Sequence, residues 1–167
     1  MSGLGAFAQL PAFPGAEGAG MYTTGGRGTP TLPTTVFYVT NLNDANSNPP
    51  SGSLRWAIAQ PATYRTIVFA ISGTIHLAGP IKIGKNTTIA GQTAPGCGIC
   101  LADYPVIVNG NNVIVRYMRF RMGDKHELIG GTVCSPPPIP ASEVGSGNDD
   151  AFDGLGFKNI IVDHCTM

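Results

Sequence analysis

The hydrophobic positions of this chain fall in short runs of β-branched and aromatic residues that alternate with polar ones and are separated by turn formers. Thr35 to Thr40 (TVFYVT), Thr66-Ile67-Val68-Phe69 and Gly73 to Leu77 (GTIHL) each read as a half-buried strand. Ser53 to Ala59 (SLRWAIA) reads instead as a short helix with Ser53 as its N-cap. Three further runs share one pattern of a polar residue, an Asn and a β-branched stretch. They are Lys85-Asn86-Thr87-Thr88-Ile89-Ala90-Gly91, Asn111-Asn112-Val113-Ile114-Val115-Arg116-Tyr117 and Lys158-Asn159-Ile160-Ile161-Val162-Asp163-His164.

Their spacing is regular once one insertion is set aside. Asn86 and Asn112 are 26 residues apart, and Asn112 and Asn159 are 47 apart. The stretch from Asp124 to Asn148 is rich in Gly, Ser and Pro, and without it the second interval shrinks to about the first. The strand at Thr66 extends the same period backward. A strand of four or five residues cannot bury its apolar face alone, whereas equivalent strands stacked in parallel share ladder hydrogen bonds and build one aliphatic column. Leucine-rich, ankyrin and tetratricopeptide signatures are absent, so the period predicts an all-β parallel β-helix, with the short helix capping its open end.

Period-2 alternation places Thr87/Ile89, Val113/Val115 and Ile160/Val162 on the inner face, and Ala90, Arg116 and Asp163 on the outer one. If the Asp124–Asn148 stretch leaves from a single coil, Arg116 and Asp163 stand on adjacent rungs about 5 Å apart and form a salt bridge. His164, two residues after Val162, is expected to point inward as a hydrogen-bonded structural histidine.

Composition agrees with many tight turns: 23 Gly and 14 Pro accompany only 12% charged residues. Ten basic and ten acidic side chains cancel, and no Lys/Arg run provides the footprint of a nucleic-acid or anionic-membrane binder. No apolar stretch approaches the roughly 20 residues needed to span a bilayer. Residues 1–9 read as a signal-peptide remnant or a disordered tail, with the β-helix domain over 10–167. Cys97 and Cys100 form a C-x-x-C without a second half for zinc; with Cys134 and Cys165 they read as buried or incidentally paired thiols.

The series FPGAEGAGMYTTGGRG (13 to 28), VTNLND (39 to 44), GSLRWAI (52 to 58), RTIVFAISGTIHL (65 to 77), TIAGQTAPG (88 to 96), ADYPVIVNGNNVIVRYMRFRMGD (102 to 124) and KNIIVDHC (158 to 165) resembles the pectate lyases of the first polysaccharide lyase family. That resemblance implies a right-handed parallel β-helix and cleavage of galacturonan by β-elimination with bound Ca2+. Metal ions neutralise the uronate carboxylate so that the weakly acidic hydrogen beside it can leave. It further implies a secreted protein, a monomer when complete, acting on polygalacturonate or pectin, with no nucleic-acid or membrane partner.

Carried over residue by residue, the resemblance makes Asp150, thirteen positions before Asp163-His164, the first candidate metal ligand. Asn148 and Asp149 are weaker ones; hard oxygen donors of this kind suit calcium. Arg116, Asp163 and His164 are read as structural. None of Arg116, Arg119 and Arg121 is assigned as the base, because the family's catalytic arginine follows the metal ligand. That arginine is expected beyond residue 167, so these residues alone are expected to have little lyase activity. The sequence departs from the family at TPTLPT after Gly28, at Pro136-Pro137-Pro138 and at Cys97. Two other readings stay open: a β-helix hydrolase of the polygalacturonase type, for which Asp149, Asp150 and Asp153 offer carboxylates, and a non-catalytic polysaccharide-binding β-helix.

Overall fold

A computed structural model of the chain describes residues 9–123, 128–129, 132–133 and 150–167. In chain order the elements are β1 (Thr35–Val39), α1 (Leu54–Ala59), β2 (Arg65–Phe69), β3 (Gly73–His76), β4 (Ile81–Ile83) and β5 (Thr87–Ala90). They continue with β6 (Ile99–Ala102), β7 (Val106–Val108), β8 (Val113–Arg116), β9 (Met118–Arg121), β10 (Leu128–Ile129), β11 (Thr132–Val133), β12 (Phe152–Asp153) and β13 (Ile160–Asp163). A single 3-10 turn covers Gly91–Thr93.

Three parallel sheets are built from strands that recur in rotation along the chain. The first sheet runs β1-β2-β5-β8-β13, the second β3-β6-β9 and the third β4-β7-β12. Because the chain visits the first, second and third sheet in turn and then returns one rung further on, it winds into a parallel β-helix. The register stacks like on like: Ile67, Ile89, Val115 and Val162 align in the first sheet, Ile75, Leu101 and Phe120 in the second, and Ile81, Val106 and Phe152 in the third. Ile67, Ile75, Ile89, Leu101, Val106, Val115 and Phe120 are all buried in one continuous column. Each such side chain contributes about 1.5–3 kcal/mol through its transfer from water.

The excursion after Met118–Arg121 leaves and rejoins within one coil, since β12 pairs with β7 while β13 pairs with β8. Thr166 then bridges to Arg119, beginning the next rung of the second sheet. At the other end α1 lies over the first coil. Ser53 caps it by accepting from the Trp56 amide at 3.2 Å, Leu54 and Ala57 are buried, and Trp56 meets Phe37 edge-on at 6.1 Å.

Residues ahead of β1 form a strap across the outer face of the first sheet. Asn112 holds it: its Oδ1 accepts from the amides of Thr24 and Gly25 at 3.0 and 2.8 Å, and its Nδ2 donates to the Gly25 carbonyl and to Asn86 Oδ1. Gly26 passes so close to the sheet that a Cβ there would fall 1.9 Å from the Arg65 carbonyl oxygen. Under this strap Ile114 is buried although it lies on the outer face, between the inward-facing Val113 and Val115.

Val162 and Ala90 take the faces expected of them, aligned with Val115 and Arg116; Val162 is 38% exposed because no described strand pairs with the far side of β13, and Ala90 is buried. One expectation needs correction. His164 turns out rather than in: its backbone is left-handed, with φ 51°, so the alternation of β13 ends one residue before it. Of the residues assigned to an N-terminal tail, 1–8 lie outside those described.

Candidate functional site

Asp163 is the centre of the corner where the first sheet turns toward the second. It pairs in register with Arg116, and the Arg116 Nε donates to its Oδ2 at 2.5 Å, the ion pair that the repeat spacing predicts. The same guanidinium lies 3.5 Å from the centroid of the Phe13 ring in the strap. On its other oxygen, Asp163 accepts from His164 Nδ1 at 2.8 Å. The His164 ring in turn stacks on Tyr117, with centroids 4.5 Å apart and planes 12° from parallel. Partial burial works to raise the Asp163 carboxyl; the hydrogen bonds and charges of Arg116 and His164 oppose it and prevail, holding the group below the usual carboxylate range.

Asp150 lies elsewhere, just ahead of β12 in the third sheet. It is exposed and precedes Ala151, whose carbonyl accepts from the Val106 amide, so it stands where the long excursion rejoins the coil. Two positions on, Phe152 pairs with Val106 and packs tilted against the core residue Phe120, its ring centroid 4.9 Å away. The outer row of that sheet is Lys82, Ile107 and Asp153, aligned by register. Asp153 is taken up locally, its Oδ1 accepting from the amides of Gly154 and Leu155.

Asn148 and Asp149 lie outside the described residues. Among the described residues no group of three or more His, Cys, Asp or Glu side chains converges on one point. Calcium takes six to eight oxygens, so Asp150 can supply one carboxylate but does not by itself make a calcium site.

A cleft of about 420 Å³ opens at the first-to-second sheet corner, lined by the loop from Gly91 to Ile99 and by Tyr117, Met118, Arg119 and His164. It contains neither Asp150 nor any residue of the third sheet. Cys97 lines it, exposed and unpaired, which corrects the reading of this cysteine as buried or paired. Cys100 and Cys165 are half-buried free thiols. Burial pushes the Cys165 thiol up, with hydrogen bonds to backbone groups opposing it. Cys134 lies outside the described residues.

Sequence reasoning missed two polar clusters. Asp44 accepts both Nε and Nη2 of Arg55, at 2.8 and 2.7 Å, and its side chain is 1% exposed. His76 Nδ1 meets Asp103 Oδ2 at 2.9 Å on the edge of the second sheet. Arg55 follows the cap Ser53 by two residues, a placement that could have suggested a buried partner for it; no comparable signal links His76 to Asp103 across 27 residues.

Curated relatives cover nearly the whole chain. It is 45% identical over 159 residues to a protein of Aspergillus terreus named probable pectate lyase C, and 38% identical over 159 residues to one of the same name from Aspergillus oryzae. Each of these alignments takes in 95% of the chain and 31% of the relative. A putative pectate lyase 17 of Arabidopsis thaliana is 32% identical over 154 residues, 91% of the chain and 36% of that protein. The chain therefore spans about a third of the length of the curated relatives it matches. No protein-family model matches it. Among solved structures, the crystal structure of Jun a 1, the major allergen from cedar pollen, superimposes with a TM-score of 0.50 at 24% identity, over 60% of the chain and 27% of that structure. This supports the fold.

Proposed function

Starting from a chain that belongs to the pectate lyase family, we propose that the protein is a secreted polysaccharide lyase that cleaves galacturonan by calcium-assisted β-elimination. The observation that carries this reading is the similarity over 95% of the chain to proteins named pectate lyases. Its geometric support is Asp150, an exposed carboxylate two residues ahead of β12 in the third sheet. Calcium is the implied cofactor and Asp150 one of the residues that would hold it, with Asn148 and Asp149 as further oxygen donors.

The chain's own residues contribute a stiff platform. Lys82, exposed on the outer row of the third sheet, faces the same side as Ile107 and Asp153 and can meet a uronate carboxylate there. Arg116 is unavailable as a base, being held by Asp163 and Phe13. The family's catalytic arginine is not assigned to any residue of this chain, and Arg116, Asp163 and His164 keep a structural role.

Product analysis on polygalacturonate tests the proposal with the whole protein. Unsaturated ends that form only with calcium are expected, and Asp150→Asn is expected to raise the calcium requirement about tenfold or more. Saturated reducing ends would mean hydrolysis. Retained polymer with neither product would mean a binding module.

A further inference from the structure

Three arginines lie on β8 and β9, and two of them are already committed. Arg116 is paired with Asp163, and Arg121 donates to Thr166 Oγ1 at 2.9 Å and to the Phe120 carbonyl at 2.8 Å. Arg119 is different. Its side chain makes no hydrogen bond or ion pair among the described residues, yet it is half-buried and lines the cleft at the first-to-second sheet corner. A guanidinium with its planar fork unspent, at the edge of an open cleft, is matched to a carboxylate that can take two parallel hydrogen bonds.

The rest of the cleft gives that carboxylate a body of definite shape. Tyr117 and His164 form a stacked aromatic pair, 40% exposed at Tyr117, that offers a flat amphipathic surface beside the guanidinium. The loop that completes the cleft carries Gly91, Gly96 and Gly98, which leave room beside that surface. Gly91 is required there, because a Cβ would fall 2.4 Å from the Tyr117 carbonyl oxygen and 2.5 Å from that of Arg116. The Gln92 side chain adds an amide that donates and accepts. A flat ring, a fork for one negative charge and an amide for hydroxyls describe a sugar ring that carries a carboxylate.

We propose that this cleft is a second, non-catalytic contact for an acidic polysaccharide, taking a uronate unit with its carboxylate on Arg119 and its ring against Tyr117 and His164. The choice of a uronate rests on the lyase reading above; the site itself shares no residue with the Asp150 region. Because one polymer chain can touch both places, a weak contact here raises its effective concentration at the other by about a hundredfold or more when the span matches.

The probe is a galacturonate trisaccharide titrated into the isotopically labelled chain, with a chelator present so that no calcium-dependent site competes. Saturable shifts are expected at the amides of Gly91 to Gly98 and at Tyr117 and Arg119. Arg119→Ala is expected to weaken binding about tenfold, Arg119→Lys to restore part of it, and the uncharged galactose trisaccharide to bind about tenfold more weakly. Asp150→Asn is expected to leave this titration unchanged, which separates it from the lyase reading, judged by unsaturated product alone. Equal binding of charged and uncharged trisaccharides, an unchanged affinity in both Arg119 variants, or shifts confined to other parts of the chain would overturn the proposal.

Discussion

Asn86, Asn112 and Asn159 occupy one place in three successive coils and share left-handed backbone, with φ of 54°, 65° and 58°. Asparagine tolerates this region better than other residues with a Cβ, so its recurrence before each strand of the first sheet is a backbone requirement before it is a side-chain one. Asn86 and Asn112 add a direct side-chain bond of 2.9 Å to that role. The same corner logic governs Asp163. Its folded carboxyl releases its proton more readily than the unfolded one, whose value is about 3.9. The pair with Arg116 therefore contributes in full above that unfolded value and fades as the pH falls through the lower, folded one. Thermal melting followed from neutral pH into acid should show a drop in Tm below about pH 4. Asp163→Asn should flatten that drop, and an equal drop in the variant would show that another group carries it.

At the scale of elements, a buried charge pair adds to the apolar packing that ties α1 to the first full coil. Asp44 receives Arg55 on both oxygens and also accepts from the Ala78 amide at 2.8 Å, while the spare Arg55 donors go to the carbonyls of Gly79 and Pro80. Removing one partner leaves the other charge buried and unpaired, so Asp44→Ala is expected to cost about 3–5 kcal/mol by denaturant unfolding. A loss below about 1 kcal/mol would mean that water replaces the carboxylate. The strands themselves were legible in the sequence because each carries the period-2 pattern and the Asn repeat; β2, β5, β8 and β13 fall where these predict. Ser53 as a cap was legible for the same local reason. What was not legible is how each strand ends. Tyr117 and His164 take left-handed φ of 56° and 51° without being Gly or Asn, so no turn signal warned that His164 leaves the alternation and faces out. Nor does any local pattern show that the strap near Thr24 and Gly25 reaches Asn112, 88 and 87 residues away.

At the scale of the whole molecule the two ends of the first sheet differ. One flank of the helix is closed by α1, whereas β13 presents backbone groups that no described strand takes up, with Val162 and Phe157 exposed beside it. Unpaired strand edges with apolar neighbours invite pairing with another chain. The chain in isolation should therefore self-associate as its concentration rises, which sedimentation velocity would register as a growing fraction above the monomer mass. Replacing Val162 with Lys should reverse it. A monomer at all accessible concentrations would overturn this expectation.

The hub at Asn112 also sets an order of events during synthesis. Thr24 and Gly25 leave the ribosome long before the side chain that receives them, 88 residues downstream of Thr24. At about 5–20 residues per second that interval lasts roughly 4 to 18 s. During that wait the leading segment has only Thr66 and Thr88, 40 and 62 residues downstream of Gly26, to hold it, and the coils must wind beneath it before Asn112 completes the grip. The upstream segment is thus seated late, like a clasp closed over a finished spring.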